Sequence, residues 1–221
     1  MIKINKKIEF KIAADGSSAS GKTTGCELIA KKFNMKFLSS GKLYRYCALE
    51  VMKNKNLYNT RFISSVAKTI TLKKLKNKKL YDHEVTKLSS KIAKKPFVRK
   101  ALKKFQENFI KKSRLVIIEG RDIGSKIMPD ADLKIFFTCS TNKKARRRLK
   151  EFRISDKKVT LKQVEKALIQ RDKEDIKRKI SPLIMPKNAV LVDTTKLSIN
   201  QMEAKLINLV SNAVQKKYGN I

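Results

Sequence analysis

Several residue types that would point to a special class of protein are scarce or missing from this chain. Its 221 residues include four prolines, seven glycines and no tryptophan, against a hydrophobic content of 41%. That balance excludes a disordered chain and is typical of one folded domain with room for a small insert. No apolar run approaches the roughly 18 residues of a membrane-spanning helix. The opening MIKINKKIEF lacks the apolar segment of a secretory signal, so we expect neither feature.

Cysteine and histidine are too few for a cross-linked or zinc-bound protein. The three cysteines, Cys26, Cys47 and Cys139, are odd in number, widely scattered and free of Cys-x-x-Cys spacing. They are typical of small core residues in a reducing cytoplasm, and neither a disulfide framework nor a zinc site is expected. The single histidine, His83, has no partner pattern, and we expect it on the surface.

Acidic residues are also in short supply. Lysine and arginine number 54 against 19 acids, which gives a formal net charge of +35. Such a chain attracts polyanions, with nucleotides and nucleic acids first among them. The lysines are spread along the whole chain among asparagine and isoleucine, a pattern that suits an A/T-rich codon bias as well as a binding groove. No zinc finger, RNA-recognition motif or basic arm stands apart, so we expect no specific nucleic acid partner.

What the chain does contain is a glycine-rich loop between an apolar run and a helical segment. The apolar run Phe10–Ala14 leads into DGSSASGKTT (15–24), in which Gly16 to Thr23 fit the spacing Gly-x-x-x-x-Gly-Lys-Ser/Thr. The glycines let backbone N–H groups turn onto phosphate oxygens, while Lys22 supplies a cation and Thr23 a hydroxyl ligand for Mg²⁺. An ordinary glycine turn is the other interpretation, but the strand-loop-helix setting favours a phosphate loop. The predicted ATP site is Gly16, Ser17, Ser18, Ala19, Ser20, Gly21, Lys22, Thr23 and Thr24.

The rest of the chain alternates apolar runs with amphipathic segments. Strands are predicted at 9–15, 35–39, 115–118, 133–139 and 189–192, and helices at 22–33, 42–53, 61–70, from Asp82 onward, and at 96–112, 142–152, 161–173 and 198–216. Continuous runs of Ile, Val, Leu and Phe between helices indicate a parallel sheet covered on both faces. In such a sheet, ligands bind beyond the carboxyl ends of the strands.

Four segments carry a family resemblance. They are DGSSASGKTT (15–24), FLSSGKLYRYCAL (37–49), IIEGRDIGSKIMPDADLKIF (117–136) and QRDKEDIKRKISPL (170–183), with VDTTKLSI (192–199) after the last. In this order they resemble the bacterial cytidylate kinases over nearly the whole chain. The Gly-Arg-Asp-Ile-Gly block followed by Pro-Asp-Ala-Asp is specific to that family among nucleoside monophosphate kinases.

The resemblance implies an α/β fold of the three-layer P-loop NTP hydrolase-like type, with a five-stranded parallel sheet, a short NMP-binding insert and a lid. It implies a single domain over 1–221, with its core at about 1–58, 113–150 and 160–221, the insert at about 59–112 and the lid at about 151–160. The insert looks shorter than in long members of the family. We expect any small sheet in its basic segment KTITLKKLKNKKLYD to be reduced to a hairpin.

The activity implied by the resemblance is transfer of the γ-phosphoryl group of ATP to CMP or dCMP, with Mg²⁺, by a monomeric cytoplasmic enzyme of pyrimidine nucleotide metabolism. One rival is a P-loop kinase for another small acceptor, such as AMP, UMP or shikimate. A rival of a different class is a nucleic-acid-stimulated ATPase that uses the basic charge. The sequence offers no separate strand-binding module for that rival, and a purely structural basic protein does not explain the ordered loops.

Phosphoryl transfer depends on positioning and charge neutralisation more than on a base, so converging arginines are expected. In the cluster Arg146–Arg148, we expect Arg146 on a solvated helix face and at least one of the other two at the lid. The loop 154–159 is expected to close over the donor phosphates. The predicted catalytic residues are Lys22, Arg45, Arg121, Asp122, Arg147 and Arg148.

The resemblance also implies the acceptor site. The residues expected around CMP are Ser40, Tyr44, Arg45, Arg121 and Asp122 at the phosphate, Arg171 and Asp175 at the sugar, and Ser90, Arg99 and Arg178 at the base. Arginine suits the O2 and N3 acceptors of cytosine, and a serine oxygen can accept from its amine. Two alternatives stay open: Ser89 competes with Ser90 for the same role, and Arg171 with Asp175 has the spacing of a helix ion pair.

Two positions depart from the family pattern. Ser39 stands where an aspartate often precedes Ser-Gly, which removes a carboxylate near the acceptor. Glu119 stands where an aspartate is common before Gly-Arg-Asp. Glu119 is expected either to hold a metal-bound water or to pair with an arginine.

Overall fold

The computed structural model describes residues 8–55, 59–152 and 159–219 of the chain. By compactness the chain divides into two units, the first comprising residues 1–38 and 113–221 and the second residues 39–112.

The first unit is built on a five-stranded sheet of order β2-β3-β1-β4-β5. The strands are β1 (Phe10–Gly16), β2 (Lys36–Ser39), β3 (Leu115–Gly120), β4 (Leu133–Thr138) and β5 (Val190–Asp193). Strand β1 lies at the centre and pairs in parallel with β3 and β4, and β4 pairs in parallel with β5. Almost every residue of β1 and β3 is buried, as expected of strands covered on both faces. The predicted α/β fold class is confirmed.

The described part of the first unit has four α-helices, α1 (Lys22–Lys32), α6 (Thr141–Phe152), α7 (Leu161–Lys177) and α8 (Ile199–Tyr218), and a short π-helix at Ile123–Ile127 after β3. Helix α8 buries Met202, Leu206, Val210 and Val214, which recur every four residues and so form one apolar stripe. These side chains join Phe10, Ile12, Ile29 and Phe137 in the main core. Helices α7 and α8 each begin with a capping box, formed by Thr160 with Gln163 and by Ser198 with Gln201.

The second unit is helical. Its helices are α2 (Ser40–Lys53), α3 (Thr60–Lys68), α4 (His83–Ile92) and α5 (Pro96–Lys111), with two 3₁₀ helices at Lys74–Lys76 and Lys78–Tyr81. The hairpin expected in the basic segment is wrong, because both ordered stretches there are 3₁₀ turns. Only Leu75 and Leu80 are buried among residues 71–80, and this spacing lacks the alternation that a strand needs.

The second unit begins at Ser39, so α2, which we assigned to the core, is counted with the insert by compactness. A functional division into core, insert and lid stays a prediction, and residues 153–158 of the expected lid lie outside the described residues.

The three cysteines and the one histidine lie where the sequence predicts them. Cys26, Cys47 and Cys139 are all buried, which confirms their place in the core, and His83 is exposed. Across the described ranges, no helix is both long and apolar enough to cross a bilayer.

Candidate active site

The phosphate loop leaves β1 at Gly16, where the backbone takes a conformation that only glycine accommodates. Gly16 has φ +150°, and a Cβ at this position would lie 2.2 Å from the carbonyl oxygen of Phe137 in β4. Gly21, at φ +83°, precedes the first residue of α1. Both glycines of the motif are therefore required by the path of the backbone.

Glu119, at the end of β3, holds the two residues that the motif assigns to phosphate and magnesium. Its Oε2 lies 3.3 Å from Nζ of Lys22, and its Oε1 accepts a hydrogen bond from the Thr23 hydroxyl at 3.2 Å. Both Lys22 and Glu119 are buried. Burial is the main cause that lowers the pKa of Lys22; Arg121 adds to it and Glu119 opposes it. Glu119 therefore contacts Lys22 and Thr23, and its charge also acts on Arg121, whose pKa it helps to raise.

These oxygens form a donor set that suits magnesium. A hydroxyl and a carboxylate adjoin the phosphate loop, and Mg²⁺ is usually bound by one or two such groups together with substrate phosphates. Within the described part of the chain, no group of three or more His, Cys, Asp or Glu side chains is placed to hold a metal ion. The residues present therefore fit a metal that arrives with a nucleotide.

Asp15, the last residue before Gly16, fixes the loop after β3. Its Oδ1 accepts the N–H of Ile123 at 2.8 Å and its Oδ2 accepts the N–H of Gly124 at 2.7 Å. The side chain is 1% exposed, and burial raises its pKa to about 6 in spite of these two bonds. We did not single out this role from the sequence, although the position of an acid at the end of a buried strand is a signal for it.

Arg121 connects this loop to the phosphate loop and to α7. Its Nη2 donates to the Ser18 hydroxyl at 2.8 Å and its Nε donates to Oδ2 of Asp175 at 2.9 Å. Burial disfavours the charged form of Arg121, but Asp175 and Glu119 outweigh it and raise the pKa. Burial of Asp175 is likewise outweighed by its arginine neighbours, Arg121 first, and its pKa is lowered.

Arg178 completes this cluster on the far side of Asp175. Its Nη1 donates to Oδ1 of Asp175 at 3.2 Å, its Nε donates to the carbonyl of Ser181, and its Nη2 lies 4.0 Å from Oδ1 of Asp122. Arg171 also contributes to the lowered pKa of Asp175. The structure thus brings together the predicted acceptor residues of the first unit, which are Arg121, Asp122, Arg171, Asp175 and Arg178.

The three arginines of α6 differ in their surroundings. Arg147 donates to the hydroxyl and carbonyl of Thr194 at 2.9 and 3.0 Å, and the Thr194 hydroxyl donates to the Ser20 carbonyl at 2.9 Å. Arg148 is buried and pairs with Glu151 at 2.5 Å. Arg146 is exposed and donates to Asn142, as expected of a solvated face.

Three residues of this region were not predicted from the sequence. Asp172 accepts the N–H of Ser18 at 2.9 Å and the Lys144 ammonium at 2.6 Å, and Thr194 bridges Arg147 to the phosphate loop. Asp172 stands in the segment that carries the resemblance, next to Arg171. Lys144 is one lysine among many, and nothing in the sequence distinguishes it.

The remaining predicted residues lie in the second unit. The Arg45 guanidinium lies over the Tyr81 ring at 4.8 Å, and that of Arg99 lies over the Tyr44 ring at 5.6 Å. Ser40 is buried at the start of α2. Ser89 and Ser90 both donate to the Thr86 carbonyl, but Ser89 is buried and Ser90 is half-buried, which makes Ser90 the more accessible of the two.

Comparisons with known proteins agree on the family. Residues 12–212 match the cytidylate kinase family. The chain is 36% identical over 205 residues to a cytidylate kinase of Rickettsia rickettsii, covering 93% of each chain. It is 37% identical over 210 residues to a cytidylate kinase of Thermosipho africanus, covering 90% of this chain and 94% of that one.

Solved structures show a similar fold at low identity. A gluconokinase from Sinorhizobium meliloti superposes with a TM-score of 0.53, at 12% identity, over 96% of this chain and 98% of that chain. A shikimate kinase from Acinetobacter baumannii, solved with shikimate, gives a TM-score of 0.50 at 12% identity, over 96% and 97% of the two chains. These likenesses concern the fold. From the match over 12–212 and the two relatives above 30% identity, the chain belongs to the cytidylate kinase family.

Proposed function

We propose that this chain transfers the γ-phosphoryl group of ATP to CMP or dCMP, giving ADP and CDP or dCDP. Beside the family membership, one observation supports this most directly. Arg121 donates to Ser18 of the phosphate loop and to Asp175 of α7, so one of the acceptor arginines adjoins the donor loop. A phosphoryl group in transfer needs positive charge on both sides, and this arrangement supplies it.

On the donor side, the loop N–H groups and Lys22 bind the β- and γ-phosphates of ATP. Lys22 is held near the loop by its contacts with Glu119 and with the Ser17 carbonyl at 3.4 Å. We assign Mg²⁺ to the Thr23 hydroxyl, with Glu119 reaching it through water. When bound, the metal offsets phosphate charge and polarises the transferring group.

On the acceptor side, we assign Arg121 and Asp122 of the first unit to the phosphate of CMP. From the family resemblance we assign Ser40, Tyr44 and Arg45 of the second unit to the same group. The attacking oxygen is already anionic, so no base has to remove a proton from it. Arg147 and Arg148 add positive charge from α6. Because Arg147 is fixed to Thr194, which in turn holds Ser20, its guanidinium has a set place beside the loop.

For the base, we assign Ser90, Arg99 and Arg178 to cytosine. The Arg99 guanidinium is held by the Tyr44 ring at 5.6 Å and by a bond from its Nη1 to the Ala93 carbonyl at 3.1 Å, and its planar fork suits paired hydrogen bonds to O2 and N3. Arg171 and Asp175 are assigned to the sugar hydroxyls. Each oxygen of Asp175 keeps a lone pair beyond its bond to an arginine.

We also propose that the protein acts as a monomer in the cytoplasm.

The test is ADP release in a coupled assay with ATP, Mg²⁺ and one acceptor at a time: CMP, dCMP, UMP, AMP or shikimate. We expect turnover with CMP and dCMP well above the others, and Lys22→Met should abolish it while the circular dichroism spectrum stays that of the wild type. Preference for another acceptor would replace the proposal by a different P-loop kinase. No turnover with any acceptor, together with ATP hydrolysis stimulated by RNA or DNA, would favour the nucleic-acid-dependent ATPase.

A further inference from the structure

Three elements of the first unit meet at one carboxylate, that of Asp172 on α7. Oδ1 accepts the N–H of Ser18 in the phosphate loop at 2.9 Å, and Oδ2 accepts the ammonium of Lys144 on α6 at 2.6 Å. Asp172 is 8% exposed and Lys144 is 7% exposed. Buried charges are stable in a fold only when they are paired and hydrogen-bonded, and this pair meets both conditions.

A second contact joins the same loop to the same two helices. Ala19 has φ +55°, a backbone conformation that is uncommon for any residue but glycine. Its side chain packs against an apolar cluster that α6 and α7 share, formed by Ala145, Leu149, Val164 and Leu168. Neighbouring loop residues thus meet the α6–α7 pair twice, once through a charged hydrogen bond and once through apolar packing. Such contacts hold a strained loop in place.

The other side of Ser18 is also tied to α7. Its hydroxyl accepts from Arg121, and Arg121 is held by Asp175, which lies three residues after Asp172 and so on the same face of the helix. Helix α7 therefore holds Ser18 in two ways. Asp172 accepts the Ser18 N–H directly, and Asp175 holds Arg121, which donates to the Ser18 hydroxyl.

We propose that Asp172 is a positioning residue that holds the phosphate loop in its ATP-binding shape. Lys144 is the cation that keeps this carboxylate from repelling the donor phosphates. A lone negative charge beside a phosphate site weakens anion binding, whereas a paired carboxylate fixes the loop at little electrostatic cost. The inference rests on the proposed function only in placing ATP at this loop, and it does not depend on the acceptor.

The test is ATP affinity, measured by isothermal titration calorimetry with Mg²⁺ and without any acceptor. We expect Asp172→Asn to weaken ATP binding about tenfold, because a charge-assisted bond to the Ser18 N–H is lost. The KM for CMP should change less than about twofold, because Arg121 stays held by Asp175. Unchanged ATP affinity would overturn the proposal. If no acceptor is turned over by the wild type, the proposed function fails, while the calorimetry still decides this inference.

Asp132 offers a matched control at the other end of the sheet. Its carboxylate also accepts one backbone N–H, that of Lys11 at 2.7 Å, and one lysine ammonium, that of Lys217 at 2.7 Å. Asp132→Asn should lower the melting temperature and leave the ATP affinity as it is. An equal loss of ATP affinity in both variants would reduce the role of Asp172 to general stability.

The double variant Asp172→Asn with Lys144→Met separates positioning from ion pairing. Asp172→Asn leaves Lys144 buried and without its carboxylate, and Lys144→Met removes that charge. The melting temperature of the double variant should therefore lie between those of Asp172→Asn and the wild type. The ATP affinity should stay low, because the Ser18 N–H still lacks its carboxylate. Full recovery of affinity in the double variant would overturn the proposal. If Asp172→Asn alone does not fold, the comparison of the double variant with the wild type gives the same decision.

Discussion

The carboxyl group of Asp15 is buried at the point where the central strand becomes the phosphate loop. Its pKa is raised from 3.8 to about 6, chiefly by burial. Between these two values the folded protein binds more protons than the unfolded chain does. The stabilisation from a protonated Asp15 is therefore fully present below pH 3.8 and is lost as the pH rises through about 6.

This gives a pH prediction for a single residue. The free energy of unfolding of the wild type, minus that of Asp15→Asn, should fall by up to about 3 kcal/mol from pH 4 to pH 7. Urea unfolding in EDTA at several pH values measures it, and the exposed Asp130→Asn is the control substitution. Parallel curves for the wild type and Asp15→Asn would show that Asp15 does not titrate in this range.

Site residues are predictable from the sequence where a motif or the family resemblance covers them. Lys22 and Thr23 were predicted because the spacing of one short motif requires them, and Arg121 because the family resemblance covers it. Asp15, Lys144, Asp172 and Thr194 act through partners that are far away in sequence: Asp172 binds Ser18, and Thr194 binds Ser20. In the sequence, a lysine or a threonine in such a role is not distinguished from other residues of its type. Only the fold shows which partner lies next to it.

At the level of elements, hydrophobic periodicity predicted most of the fold. The strands and helices of the first unit begin and end within a few residues of the expected positions, because apolar runs and stripes decide which segments are buried. The basic segment of the second unit was mispredicted. Two leucines, Leu75 and Leu80, anchor it, and so few apolar residues do not distinguish a hairpin from 3₁₀ turns.

The start of α8 allows a prediction about an element. Ser198 accepts the N–H of Gln201, and the Gln201 side chain accepts the N–H of Ser198. Ser198→Ala should lower the free energy of unfolding by about 1 kcal/mol, because the first turn loses a cap. Urea unfolding measures the loss, and Lys205→Ala, at an exposed position of the same helix, is the control. Equal stability of Ser198→Ala and the wild type would mean that the cap does not contribute.

At the level of the whole molecule, the net charge of +35 acts on anionic substrates before they reach the loop. We expect kcat/KM for ATP to fall on the order of tenfold as ionic strength rises from about 0.05 to about 0.5 M, because salt screens this attraction. The measurement is the coupled assay with KCl, and a neutral solute of equal osmolality is the control. Rates that do not depend on salt would mean that only the charges within the site matter.

The order of the strands in the sheet affects how the protein is made. Strand β1 is synthesised first, yet it lies at the centre of the sheet, and its neighbours arrive much later: Phe10 pairs with Leu115 and Ile12 with Leu133. Residues 39–112 form their own compact unit and leave the ribosome before either partner strand does. The growing chain can therefore fold its helical unit while β1, which leads into the phosphate loop, is not yet paired with β3 and β4. Until β3 and β4 emerge, this apolar strand lacks both of its partner strands, and an unpaired apolar strand is prone to aggregation.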